Sequence, residues 1–288
     1  MSRKIKTINI DTDSIISSRD IIVNESIRSI DVNQLDGSIL ATYTTNTDGT
    51  YNGSVVMYPQ SSALQVDEPI TIDDLDRFGS LYYPNDAKFN YLRRKIWICD
   101  TGNHRVLKIN RDTQEVDISI ENKIYYPYAL VVDLNDNGVF VRGYDDIQRR
   151  KSVVRKFYSD GDDGEIFKFD TDSSDASSSS SSSQLLGSSS SSSDDLLPEF
   201  PFPSSIVYDH VRSRTWWVNE TKIYMADSRY KNIQIYDLNS DGYINAYSID
   251  VQLDNGNVLV VADDIHSERF LVQVYKDNNL LLASSYIV

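Results

Sequence analysis

A short apolar strand opened by a small residue recurs five times along the chain, and its spacing limits the fold more than any other feature. The copies are Ser29-Ile30-Asp31-Val32, Ala87-Lys88-Phe89, Ala129-Leu130-Val131-Val132, Ser205-Ile206-Val207-Tyr208 and Ser248-Ile249-Asp250-Val251. The first and last share the tetrapeptide Ser-Ile-Asp-Val, and the middle three follow Pro84, Pro127 and Pro203. The intervals between the small residues are 58, 42, 76 and 43. Two of them agree at about 43, the length expected of one four-stranded unit in a radial β repeat. On that period the long intervals carry insertions of roughly 15 and 33 residues. The larger is a serine-rich stretch at 172–198.

Hairpin signals follow the anchors in register. Asp36-Gly37, Asn137-Gly138 and Asn255-Gly256 each stand between two apolar runs, the strongest short-range signal for a tight β-turn. No long stretch keeps apolar residues at helical spacing, and 19 tyrosines beside abundant Ile and Val favour strands. The expected fold is all-β: a β-propeller of five recognisable four-stranded repeats over 26–288, with five or six blades. Residues 1–25 read as N-terminal strands or an arm, with runs at Ile5–Ile10 and Asp20–Val23 expected to close the ring against the last blade and so remove a sheet edge. Thr42–Gly53 reads as an enlarged polar loop and 67–76 as an acidic linker. In the fourth repeat Thr215–Asn219 is expected as second strand and Lys222–Asp227 as third.

The second repeat carries the most specific motif. Lys95–Cys99 and Arg105–Ile109 alternate as half-buried strands, and the polar loop between them supplies the Gly and Asn that tight connections use. The string Asp100-Thr101-Gly102-Asn103-His104-Arg105-Val106 resembles the core motif of NHL repeats, which build β-propellers. The likeness is closest over 82–109 and loose elsewhere. It implies that Asp100, Gly102, Asn103, His104 and Arg105 fix the turn and tie strands together, and that the chain is a non-enzymatic binding or scaffolding platform. It also implies an alternative, since NHL propellers include an amidating lyase and other six-bladed propellers include calcium-dependent lactonases. Such enzymes converge His or acidic ligands on the central channel. Here His104, His210 and His266 occupy non-equivalent places in their repeats, and none lies at a metal-ligand spacing.

No cofactor is expected, with calcium as the one candidate. Asp133-Asn135-Asn137 and Asp237-Asn239-Asp241, each before a glycine, match the first half of a calcium loop. The twelfth positions are Tyr144 and Ser248, so the bidentate carboxylate is missing. Plain β-turns ask for the same residues, and both readings stand on the sequence. Candidate interaction residues are Trp216 and Trp217, which point to opposite faces of a strand, the pairs Tyr82-Tyr83 and Tyr125-Tyr126, and Leu185 and Leu186 inside the serine-rich stretch. Packing between blades uses the same aromatic residues and explains most of them, leaving one tryptophan open to a partner.

A formal charge of −15 argues against a nucleic-acid surface and against adhesion to anionic lipid. The short basic group at Arg149-Arg150-Lys151 and Arg155-Lys156 reads as a solvated loop and strand edge. Cys99, the one cysteine, lies in an apolar strand and reads as a buried, inert thiol. No signal peptide of the usual kind and no membrane span is expected. The expected function is a structural or protein-interaction subunit of a larger assembly, a virion or surface-appendage component rather than a free cytoplasmic protein, with other protein subunits as partners. Two alternatives remain: an adhesion propeller binding carbohydrate or peptide, and a metal-dependent lyase or lactonase.

Overall fold

The strands expected from each repeat hydrogen-bond in sequence order, so every repeat forms its own small antiparallel sheet. A computed structural model describes residues 3–9, 14–21, 26–33, 35–47, 50–59, 69–73, 75–146, 152–169, 204–219, 221–227, 234–238, 244–252, 254–264, 269–276 and 282–287. The first blade holds β3 (Ser26–Val32), β4 (Ile39–Thr47), β5 (Thr50–Tyr58) and β6 (Ile70–Ile72), after a separate hairpin of β1 (Arg3–Asn9) and β2 (Ser14–Ile21). The second holds β7 (Pro84–Asn90), β8 (Lys95–Asp100), β9 (Arg105–Asn110) and β10 (Val116–Glu121). The third holds β11 (Tyr125–Asp133), β12 (Gly138–Tyr144), β13 (Ser152–Phe157) and β14 (Asp163–Phe169). The fourth holds β15 (Ser205–Asp209), β16 (Arg214–Asn219), β17 (Lys222–Asp227) and β18 (Gln234–Asp237). The fifth holds β19 (Ile244–Val251), β20 (Val258–Asp264), β21 (Arg269–Tyr275) and β22 (Leu282–Ile287). The molecule is a five-bladed β-propeller, and the five anchors all fall on innermost strands.

Apolar clusters fill the seams between successive blades, because a single twisted sheet cannot cover both of its own faces. Leu40, Val55 and Met57 of blade one meet Phe89, Ile96 and Ile98 of blade two. Trp97, Cys99 and Val106 meet Leu130, Val139 and Val141 of blade three. Phe140 and Val154 meet Ile206, Tyr208 and Trp217 of blade four, and Trp216, Val218 and Ile223 meet Ile249, Val258 and Val260 of blade five. Cys99 is fully buried at the second seam, where burial pushes its thiol well above the usual range.

Three local expectations change, and one expected turn shows its detail. The acidic linker contains a strand: Ile70–Ile72 pairs with β5 as the outermost strand of blade one and sinks Ile72 into the first seam. Thr42–Gly53 is no loop, since β4 and β5 stay paired out to Thr47 opposite Thr50. The N-terminal strands pair with each other, and the last sheet has its four strands without them. The Asn137-Gly138 turn puts the asparagine, not the glycine, in the left-handed region at φ 61°. Gly138 is required for space, because a Cβ there would lie 2.5 Å from the Phe157 carbonyl oxygen. In the fourth repeat the expected order holds, with the tryptophans on the second strand. Among the described residues no helix is long and apolar enough to cross a membrane.

Candidate functional site

Three of the five NHL-like residues, Asp100, Asn103 and Arg105, meet in one buried ion pair and its hydrogen bonds. The β8–β9 connection is a single 3₁₀ turn, Thr101–Asn103, closed by His104 in the left-handed conformation at φ 54°. Asp100, fully buried, accepts from Arg105 Nε at 2.6 Å, from Asn103 Nδ2 at 2.9 Å and from the Tyr82 backbone N–H at 2.8 Å. Burial raises its pKa against those donors. Arg105 also donates to the Phe78 carbonyl at 2.7 Å, and Gly102 N–H to the Tyr82 carbonyl at 2.8 Å. Gly102 sits so close to Tyr82 that a Cβ would come within 2.2 Å of its ring. The loop therefore staples β8 and β9 to the segment leading into the innermost strand.

The same loop reaches blade three. Thr101 Oγ1 donates to the Pro127 carbonyl at 2.5 Å, and the Tyr126 N–H donates to His104 Nδ1 at 3.3 Å. That bond needs Nδ1 unprotonated, and burial lowers the His104 pKa in the same direction. Tyr83 and Tyr126, at equivalent places in Tyr-Tyr-Pro sequences, both adopt positive φ, 53° and 46°. Tyr125 and Tyr126 pack their rings on His104.

A different group of residues lines an open cavity of about 320 Å³ on the propeller axis. All five innermost strands contribute to its wall, and its charged groups are Asp31, Asp86, Lys88 and Asp250. Lys88 Nζ lies 3.6 Å from Asp86 and 3.9 Å from Asp31, and donates to the Ile30 carbonyl at 3.4 Å. Burial would lower the Lys88 pKa, but Asp86, Asp31 and Asp250 outweigh it and hold the ammonium above its usual range. Burial pushes the Asp31 carboxyl up to about 6, against the pull of Lys88 and of the Phe89 N–H. Asp31 Oδ2 accepts that N–H at 2.8 Å, Asp86 Oδ2 accepts the Leu130 N–H at 2.9 Å, and Ser29 Oγ accepts the Ala87 N–H at 3.4 Å. These carboxylates thus link blade one to two and blade two to three.

At the mouth where the innermost strands end, the turns into the second strands present aliphatic side chains to solvent. Leu35, Leu92 and Val211 are 68%, 55% and 59% exposed in blades one, two and four. Leu134 is half-buried at the same turn of blade three. His210 lies at this end of the cavity, whereas His104 sits at the opposite end, beside the start of β11. His266 lies outside the described residues, and among those described no group of three or more His, Cys, Asp or Glu could hold a metal ion.

The other candidates separate. Trp216 and Trp217 do point to opposite faces, but a neighbouring blade covers each, leaving them 1% and 2% exposed. Neither indole is available to a partner. The Asp133 loop is built as a turn, with Asp133 Oδ1 accepting the Asn135 N–H and Asp136 Oδ1 the Gly138 N–H. Lys156 places its ammonium 2.9 Å from Asp133 and 2.5 Å from Asp136, so a side chain already supplies the cation. Lys156 and Arg155, expected on a solvated loop and strand edge, lie on β13, which is paired on both sides, and both side chains are largely buried. Asp237 ends β18, while Asn239, Asp241, Leu185, Leu186, Arg149-Arg150-Lys151 and the serine-rich stretch lie outside the described residues. The cavity charges were missed because each repeat contributes only one or two of them. The signal was the shared tetrapeptide, which sets Asp31 opposite Leu40 and Asp250 opposite Leu259.

No family model matches the chain, and no curated protein matches it. Among solved structures, the chain is similar to a crystal structure of a nidogen/laminin complex, with a TM-score of 0.65 and 12% identity over 99% of this chain and 90% of that one. A Kuenenia stuttgartiensis hydrazine synthase aligns over 68% of this chain and 46% of its own, at 12% identity and a TM-score of 0.47. At that identity the nidogen/laminin likeness is one of fold, and the fold it supports is the propeller.

Proposed function

We propose that the chain is a non-enzymatic propeller of NHL type that serves as a structural or protein-interaction subunit of a larger assembly, such as a virion or a surface appendage. The observation that carries this reading is the rim of Leu35, Leu92 and Val211, aliphatic side chains held in solvent at equivalent turns around one mouth of the ring. Scattered exposed apolar residues are ordinary, but three aliphatic side chains at the corresponding turn of three blades favour a contact face at this end of the ring. The motif residues that could have offered catalytic groups are engaged in stapling: Asp100 and Arg105 neutralise each other, and His104 accepts a backbone N–H. The similar solved structure is itself a complex of two proteins.

Size measurement and chemical cross-linking of the native material test the reading. Cross-links from the turns bearing Leu35, Leu92 and Val211 to another polypeptide are expected. A lone monomer in native material, with no cross-linked neighbour, would overturn it. The adhesion alternative rests on Tyr82 and Tyr247, 40% and 49% exposed, and a glycan array distinguishes it.

A further inference from the structure

Asp31 and Asp250 occupy the same register of the same tetrapeptide, yet among the described residues only Asp31 has a charged group within 4 Å. Asp31 takes the Phe89 N–H of the next blade and faces the Lys88 ammonium at 3.9 Å. Asp250 accepts the N–H of its own neighbour Val251 at 2.8 Å and, among the described residues, makes no ion pair within 4 Å. It faces the axial cavity, where solvent reaches it. Burial in the ring raises its pKa, and the Val251 N–H and Lys88 pull it down.

The cavity charges do not balance. Three carboxylates, Asp31, Asp86 and Asp250, face one ammonium. Asp86 Oδ1 is buried and, among the described residues, has no hydrogen-bond donor, Lys88 lying beyond bonding distance at 3.6 Å. An anion would meet net negative charge. A divalent metal would need several carboxylates around one point, and Lys88 already occupies the space between Asp31 and Asp86. The lining is mixed, polar and charged groups alternating with the aliphatic side chains of Val32 and Val207. A carboxylate in a cavity that also offers some aliphatic surface suits a cation carried on a hydrocarbon stem.

We propose that the axial cavity binds an aliphatic primary ammonium group, which pairs with Asp250 while its methylene stem lies along Val32 and Val207. A free diamine and the side chain of a lysine on another protein both carry this chemistry. The site stands on the cavity and its charges and does not depend on the assembly reading, so either can fail alone.

Calorimetric titration of the full chain with 1,5-diaminopentane, with Nα-acetyl-lysine methylamide and with glutarate tests it, alongside Asp250→Asn and Lys88→Gln. Both ammonium probes are expected to bind and glutarate is not. Asp250→Asn, which keeps an oxygen acceptor and the side-chain volume, is expected to weaken both by about tenfold or more, the loss of one charged partner. Lys88→Gln is expected to tighten both, since it removes the competing ammonium. Circular dichroism melting shows that each variant is folded. Binding of the diamine without the lysine derivative supports the site and assigns it to free amines. Binding that is undiminished in Asp250→Asn, that glutarate matches, that is absent from the native chain, or that appears only in Lys88→Gln overturns the proposal.

Discussion

The carboxylate of Asp86, in the innermost strand of blade two, accepts the backbone N–H of Leu130 in the innermost strand of blade three at 2.9 Å. Asp31 does the same one seam earlier, for Phe89. Strand pairing stops at each blade edge, so the N–H groups of the innermost strands need acceptors from elsewhere. Aspartates facing the axis supply them. Replacing Asp86 by Ala leaves the Leu130 N–H buried without a partner and Lys88 with a weaker one. The expected loss is about 1–3 kcal/mol in urea unfolding, the penalty of an orphaned buried donor. Asp86→Asn, which keeps the acceptor, is expected to lose less.

Asp31 makes a pH-dependent contribution whose sign follows from its burial. Its carboxyl titrates near 6 in the folded chain, against an ordinary 3.8. The folded state therefore holds this proton more tightly than the unfolded one. The stability linked to this group is whole below about pH 3.8 and is lost as the pH rises through about 6. A carbon-detected NMR titration of the Asp31 carboxyl is expected to show a midpoint near 6. Lys88→Met should move that midpoint higher, because the ammonium is what pulls it down, and Asp250→Asn should move it lower. A midpoint in the ordinary carboxylate range would contradict the burial.

The repeat was legible because its parts are local: a small residue, an alternating strand and a Gly turn recur in one linear order. What stayed hidden was set by neighbours in space. Strand β6 is three residues long and lies among acidic residues, and only its pairing with β5 and the burial of Ile72 identify it. Alternation puts Trp216 and Trp217 on opposite faces, and blade packing competes with partner binding for both; that neither stays open is set by the two neighbouring blades. The ion pair inside the second repeat was nearly readable, since Asp100 and Arg105 are five apart across a tight turn. The cavity was not, because Asp31, Asp86, Lys88 and Asp250 meet only once the ring has formed.

Asp100 and Arg105 are almost wholly buried, with side chains 0% and 8% exposed. Removing one partner leaves the other charged and desolvated, and Arg105→Met is expected to cost about 3–5 kcal/mol. Adding Asp100→Asn should recover much of that loss, since the uncompensated charge then goes. Chemical denaturation of the two single variants and the double variant completes the cycle. A double variant as unstable as the sum of the singles would mean that the loop is held by its other bonds, to Tyr82, Phe78 and Asn103.

Lys156 settles what calcium should do at the Asp133 turn. Its ammonium contacts both Asp133 and Asp136, and although burial opposes it, bonds to Asp136 and then Asp133 hold its pKa above the usual range. A cation entering the loop would have to displace a charge already in place and then leave that lysine half-buried without partners, a cost the site cannot recover through three or four weak oxygen ligands. Millimolar calcium is therefore expected to leave the Tm of the native chain unchanged. In Lys156→Gln the carboxylates of Asp133 and Asp136 lose their counter-charge, so the Tm should fall, and calcium should restore part of the fall. A calcium-dependent rise in the native chain, abolished by Asp133→Asn, would show instead that the ion outcompetes the lysine and that the turn is a metal site after all.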